Sequence, residues 1–285
     1  MVMRQEGDPC SRRSAMLHRP FLVRVVLRSE KRAGNHRWWK PKDCRSQKEV
    51  VSSALNGHFS EMLMTSAAET LSERAKRASA VLDRTSYRLV QTDQEREEIY
   101  RLRYNAYRKE GVIDESSDRL VTDHYDDLPN SWIFGVYWDG ELYGSIRINV
   151  LSREWRSSCA ADFYAEIVHP LLDRGQVIVD PARFVADPHR ERRVRELPYL
   201  TTRLAFMACA YFSAHTCFAL VRKEHQPFYH RMFLHRTIAE PKAFPGLLRP
   251  FGLMAMDYPS VCHQVFERHP VLVSTEAEQR ALFKR

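Results

Sequence analysis

The chain has 285 residues, 44% of them apolar and 11% aromatic, which excludes a wholly disordered polymer and suits one large domain with or without an extension. Its net charge of +8 is confined to one end: residues 1–50 hold 13 Lys and Arg against 5 Asp and Glu, and the remainder is balanced at 31 of each. A basic total therefore does not make the folded part a nucleic-acid binder.

Residues 1–60 show basic residues without helical or strand period, and Trp38-Trp39 stand alone among Lys and Arg. A disordered basic extension is expected there. A basic arm for membrane or nucleic acid, or a start placed upstream of Met62 and Met64, competes with that reading. Arg24 interrupts the apolar stretch 21–27, so no signal peptide is expected. Residues 61–85 form a helical lead-in, with a helix over 66–82. From Ser86 the pattern becomes regular. Residues 87–90 make a short strand, and Thr92-Asp93-Gln94-Glu95 is a capping box that opens a helix running to Lys109 and ending at Gly111. A polar loop covers 114–130. Strands at 132–138 and 142–150 flank Asp139-Gly140, a two-residue hairpin turn. A helical stretch near 161–172 precedes a strand at 177–185. An apolar helix spans 197–214, a buried strand 216–221, a helix 226–233 and a late strand 253–257, with a short helix after Pro259. None of the apolar runs approaches the roughly 18–20 residues of a membrane span. The order predicts an α/β domain over 86–285 with one central sheet.

Several residues stand out by their placement. Asp180 lies inside the apolar strand Val177-Ile178-Val179-Asp180-Pro181-Ala182-Arg183-Phe184-Val185. A carboxylate there is costly unless paired, and Pro181 cannot donate to a ladder, so the strand is bulged or splayed. Asp180 is either half of a structural pair with Arg183 or a catalytic group. Asp123-His124-Tyr125-Asp126-Asp127 is either a solvated turn or a site cluster. Arg103 sits one turn before Tyr107 on a helix, and Arg147 interrupts an apolar strand where alternation alone explains it. Tyr229 is a hydroxyl donor or a core aromatic. His189-Arg190-Glu191-Arg192-Arg193-Val194-Arg195 is a solvated loop or a dock for phosphate or an acidic protein surface. Six scattered cysteines, without a C-x-x-C pair or zinc-like spacing, predict a reduced cytoplasmic protein with no metal. Dinucleotide, P-loop and α/β-hydrolase motifs are missing.

The ordered set Arg103-x-x-x-Tyr107, Asp123-x-x-Asp126, Gly144-Ser145-x-Arg147 and Asp180-x-x-Arg183-Phe184 resembles the acyl-homoserine lactone synthases, with Asp180 where that family has Glu. A closer likeness is to the N-acyl amino acid synthases, which share the same GNAT fold. It rests on Leu102-Arg103-Tyr104-x-x-Tyr107, Trp132-Ile133-Phe134-Gly135-Val136-Tyr137, the run Val179-Asp180-Pro181-x-Arg183-Phe184-Val185-Ala186-Asp187-Pro188, Leu197-Pro198-Tyr199 and Glu224-His225-Gln226-x-Phe228-Tyr229.

The resemblance covers about residues 86–280. It implies a single GNAT-like mixed central sheet flanked by helices. The activity implied is transfer of a long fatty acyl group from acyl carrier protein to the α-amine of an amino acid. No cofactor is bound on this reading; the donor is the acyl-phosphopantetheine of the carrier. Asp180 is implied to accept the amine proton and Tyr229 to lie near the leaving sulfur. Arg103, Tyr107, Asp123, Asp126, Arg147, Arg183 and Phe184 would bind substrate. Acetyl-CoA-using relatives keep glycines before the long helix to wrap a pyrophosphate. This chain has Arg190, Arg192, Arg193 and Arg195 there and no glycine, which suits docking of an acidic carrier. A homoserine-lactone-type synthase using S-adenosylmethionine is the alternative enzyme. A non-catalytic module using the basic arm is the alternative of another class.

Overall fold

Period-two alternation and a two-residue turn dictate a sheet, and the computed structural model, which describes residues 73–190 and 193–285, contains one of seven strands. These are β1 (Thr85–Leu89), β2 (Ser131–Trp138), β3 (Glu141–Leu151), β4 (Ile178–Ala186), β5 (Thr216–Val221), β6 (Arg236–Lys242) and β7 (Phe251–Asp257). They lie in the order β1-β2-β3-β4-β5-β7-β6, and every neighbouring pair is antiparallel except β4–β5. The helices are α1 (73–82), α2 (Asp93–Lys109), α3 (Cys159–Phe163), α4 (Ala165–Asp173), α5 (Leu197–Tyr211), α6 (Gln226–Phe233), α7 (Tyr258–Arg268) and α8 (Glu276–Phe283). Among the described residues no helix is long and apolar enough to cross a membrane. The expected extension over 1–60, the first part of the lead-in helix, and Arg192 lie outside the described residues.

Local chemistry sets the boundaries. Thr92 caps α2 with the expected capping box, and Asp139 and Gly140 take φ of 49° and 82°, the left-handed pair that a tight hairpin needs. On β3, Ile146, Ile148 and Val150 enter the core under α5–α8, while Arg147, Asn149 and Leu151 point to the other face, where α2, α3 and α4 pack. α5 is buried nearly all round, and apart from Thr201, Thr202 and Arg203, which pairs with Glu278, it is largely apolar.

Three elements differ from the sequence reading. β6 is an additional edge strand: it holds Pro241, carries two register shifts and is half exposed, so no alternation marks it. The helix near 161–172 is two helices, broken at Tyr164 (φ −126°, ψ 40°), whose buried hydroxyl reaches the carbonyls of Glu240 and Phe251 at 2.9 and 2.7 Å. α8 is also additional, although the capping box Thr275–Glu278 announces it. Within the loop at 114–130, residues His124–Asp127 form a single tight turn capped by Asp123.

Candidate active site

The site begins where two parallel strands part. β4 and β5 share only the pairs Ile178↔Thr216 and Val179↔Cys217. Pro181 then follows, with no N–H to give, while β4 stays paired to β3 as far as Ala186. The register slips between Ser145 and Arg147, and Arg183 in that bulge takes φ 54°, a left-handed conformation costing a non-glycine residue about 1–2 kcal/mol. β5 keeps β7 along its other edge throughout. Two strand edges thus face each other across a cavity of about 440 Å³, within the roughly 300–1,000 Å³ usual for small-molecule sites. Ile146, Ala205, Phe206 and Tyr229 line it on the α5 side, and Ala106, Tyr107 and Arg183 on the α2 side. Phe184 also lines it.

On the α2 side the sequence-predicted charges form one chain. Arg103 donates to both oxygens of Asp126 at 3.0 and 2.8 Å, and Arg147 donates to Asp126 at 3.0 Å and to Asp123. Arg183 closes on Asp123 through Nε (3.0 Å) and one terminal nitrogen. The bulge therefore swings Arg183 away from its neighbour Asp180 and onto Asp123, so the Asp180–Arg183 pair considered from sequence does not form. Thr122 donates to Asp126 at 2.9 Å. Burial alone would raise the Asp126 carboxyl, but Arg103 and Arg147 outweigh it and hold it at about 2. Asp123 is lowered in the same way by Arg147 and Arg183. Arg103 and Arg147 are wholly buried; among the described residues Arg103 Nε and one terminal nitrogen, and Arg147 Nε, have no hydrogen-bond partner. Of the three arginines, Arg183 is the one that reaches the cavity, stacked over Tyr107 at 5.6 Å.

Asp180 sits at the apex, one residue past the last β4–β5 pair, and is fully buried. One oxygen accepts the Ala160 N–H at 3.3 Å and the other has no hydrogen-bond partner among the described residues. Burial pushes this carboxyl up to about 6, against the smaller opposing pulls of Ser158, the Ala160 N–H and Arg147. It is not among the residues lining the cavity. Across the ladder, Asn149 stands opposite it, also fully buried, with neither side-chain polar atom hydrogen-bonded among the described residues. Sequence reasoning missed Asn149; alternation was the available signal, since it shares the face of Arg147.

Tyr229 packs among Phe228, Phe233 and His235, and its hydroxyl makes no hydrogen bond among the described residues. Burial raises its pKa, so it remains protonated. His235, also missed, lines the cavity with both ring nitrogens buried and lacking well-formed hydrogen bonds. Burial pushes it down to about 3, leaving a neutral ring. Past β4, Arg190 pairs with Glu141 at 3.1 Å, whereas Arg193 and Arg195 are exposed. The structure thus gathers Tyr107, Arg183, Phe184 and Tyr229 at the cavity. Arg103, Asp123, Asp126 and Arg147 stand behind Arg183, and the arginine turn lies apart from them.

Comparisons with known proteins bear on the family and the fold. The model of the N-acyl amino acid synthase FeeM family matches residues 98–257, more than half of the chain. The solved structure of FeeM, an N-acyl amino acid synthase from uncultured soil microbes, superposes with a TM-score of 0.53 at 20% identity, over 64% of this chain and 94% of that one. The lactone synthase LasI gives 0.44 at 16% identity, over 60% and 89%. An acyl-CoA N-acyltransferase from Pseudomonas aeruginosa gives 0.40 at 14%, over 60% and 98%. No curated protein matches the sequence. With a GNAT-like sheet split at β4–β5 and a family match spanning both strands, the chain belongs to the N-acyl amino acid synthase FeeM family and is an N-acyltransferase.

Proposed function

We propose that the enzyme moves a long-chain fatty acyl group from the phosphopantetheine thioester of acyl carrier protein to the α-amine of an amino acid, in the cytoplasm. The observation that carries this reading is the cleft between β4 and β5. One wall is apolar, supplied by Ile146, Ala205 and Phe206, and the other ends in the guanidinium of Arg183. Such a cleft suits a molecule with a fatty tail and a reacting carbonyl, met from the polar side by a small zwitterion.

In this reading the acceptor carboxylate meets Arg183, which Asp123 and Tyr107 hold in place. The amine nitrogen attacks the thioester carbonyl. A C–N bond forms, the C–S bond breaks, and the amine proton passes to Asp180, directly or through water. A carboxyl near 6 is matched to that task at neutral pH. Backbone N–H groups on the open edges of β4 and β5 face the developing oxyanion. Tyr229 donates a hydrogen bond to the departing thiolate, and the proton taken up by Asp180 returns to that sulfur through water. Arg193, Arg195 and Arg192 would meet the acidic carrier, which speeds and orients docking.

Mass spectrometry of lipid extracts from a bacterial host expressing the protein, beside an Asp180→Ala control, tests the reading. Linear long-chain N-acyl amino acids that vanish in the control are expected, and their masses name the acceptor. An acyl lactone would instead establish the lactone-synthase alternative. A donor series of carrier-bound and CoA-bound acyl groups then fixes the carrier.

A further inference from the structure

Parallel strands that part after Val179 and Cys217 leave the cleft widest at their C-terminal ends, so its mouth lies at Pro188, just past β4, and Arg222, just past β5. The end of α2 ties both lips together. Lys109 Nζ donates to the Pro188 carbonyl at 2.9 Å, and Glu110 pairs with Arg222 at 2.7 Å. All four residues line the cavity.

The two partners in the second tie differ in their surroundings. The Arg222 side chain is 12% exposed, whereas Glu110 is 54% exposed. Arg222 also donates toward His225 Nε2 at 2.7 Å, a ring that burial, and then Arg222 itself, keeps lowered and therefore neutral. Arg222 Nε also lies 3.4 Å from Glu224, which is 60% exposed, so the guanidinium is fixed and largely withdrawn from water while both of its carboxylates remain wet. A carboxylate that stays in water gains little from such a pair and can be exchanged for another anion.

We propose that Arg222 binds the phosphate group of the donor's phosphopantetheine arm, and that Glu110 is a displaceable clasp that occupies Arg222 until the donor arrives. The proposal rests on the acyl-thioester reading above. It follows from direction and reach. A donor whose carbonyl lies at the apex, near Asp180, must leave the cleft at the only end where the strands stand apart. Residues 181–186 at about 3.3 Å each span roughly 17–20 Å, a length suited to an extended arm with its anionic end at the mouth. A phosphodiester carries one negative charge there, as Glu110 does, so the exchange conserves charge. It also replaces a solvated carboxylate with an oxyanion that a guanidinium meets in bidentate fashion.

The test compares two small donors with the same acyl group, acyl-phosphopantetheine and acyl-pantetheine, in wild type, Arg222→Gln, Arg222→Lys and Glu110→Gln. Wild type should show the lower KM for the phosphorylated donor. Arg222→Gln should shrink that preference by about tenfold or more, the usual effect of losing a hydrogen bond to a charged group. Arg222→Lys should retain part of it, because a point charge replaces the fork. Glu110→Gln should lower the KM for the phosphorylated donor by releasing the Arg222 terminal nitrogen that Glu110 holds, with Glu224 still on Nε. A preference unchanged in Arg222→Gln, or a KM raised in Glu110→Gln, overturns the proposal. The same variants are run with the acyl carrier protein thioester, where Arg222→Gln should raise KM about tenfold; turnover of neither the small donors nor the carrier thioester by wild type overturns the acyl-thioester reading itself and the proposal with it.

Discussion

Two faces of the same two strands carry opposite chemistry. Toward α5, β3 and β4 present Ile146, Ile148, Val150 and Val179, part of one large apolar cluster. Toward α2 and α3 the alternate positions are Arg147, Asn149 and Asp180, with Arg183 joining them through the bulge. The first face needs only transfer free energy to explain it. The second is burdened with three arginines and two aspartates in one ion-paired chain, several of whose polar atoms have no partner. Buried ion pairs of this kind are poor stabilisers compared with apolar residues of similar size, so stability is a weak reason for their presence. Period two lets one strand serve both purposes, with a packed wall on one side and a charged site on the other.

The largest expected break in this comparison is at Asp126. Asp126→Ala leaves Arg103 buried with no carboxylate and removes one of two partners from Arg147. Urea denaturation should show a loss of about 3–5 kcal/mol, the usual effect of orphaning one half of a buried pair. Ile148→Val, at the neighbouring position on the apolar face, should cost only about 0.5–1.5 kcal/mol. If the two variants lose equal stability, the chain of charges is not a unit and the contrast between the faces fails.

Asp180 sharpens the contrast because its effects on stability and on activity run in opposite directions. Its carboxyl, pushed up to about 6, holds a proton more tightly in the folded protein than in the unfolded chain. The stability it contributes is therefore full below about pH 4 and is lost as pH rises through about 6. Asp180→Asn carries no charge and removes that dependence. At pH 7 the variant should be more stable than the parent by up to about 3 kcal/mol, and near pH 4 the difference should vanish. Its kcat should nonetheless fall by about 10²–10⁴-fold, the range for losing a general base. Thermal melts at the two pH values, beside steady-state rates, check both halves. A variant destabilised at pH 7 would make Asp180 a structural acceptor for Ala160 rather than a strained functional group.

Much of the fold could be read from the sequence because its signals are local. The Thr92 capping box, the Asp139-Gly140 turn and the apolar runs Cys217–Val221 in β5 and Leu204–Ala210 in α5 each announce themselves within a few residues. β6 could not be read in that way, since an edge strand with Pro241 and half-exposed residues has no period to display. The charged side of the site was legible in composition but not in partnership. Asp180 and Arg183 stand three residues apart in an apolar strand and invite pairing. The bulge, a backbone event set by the register against β3, sends Arg183 to Asp123 sixty residues away. Asn149 and His235 gave no motif. Their placement depends on which face a strand turns inward and on which residues an irregular edge strand brings to the cleft.

Tyr229 provides the smallest and most specific test of the apolar face. Its ring is explained by packing against Phe228, Phe233 and His235, but its hydroxyl is not, since nothing among the described residues bonds to it. Tyr229→Phe should therefore keep the fold within about 0.5 kcal/mol, as expected where no partner is orphaned. A thiol with a pKa of about 8.5 is already a fair leaving group, so a proton donor beside it helps less than it would beside an alkoxide or an amine. The expected loss in kcat is about tenfold, with KM for the acyl donor little changed, because the interaction develops only as the C–S bond breaks. A tenfold fall in rate at unchanged melting temperature makes the hydroxyl part of the chemistry. An unchanged kcat reduces Tyr229 to a wall residue and leaves the sulfur to depart as the free thiolate, with the apolar face then supplying shape alone and every proton handled on the charged side.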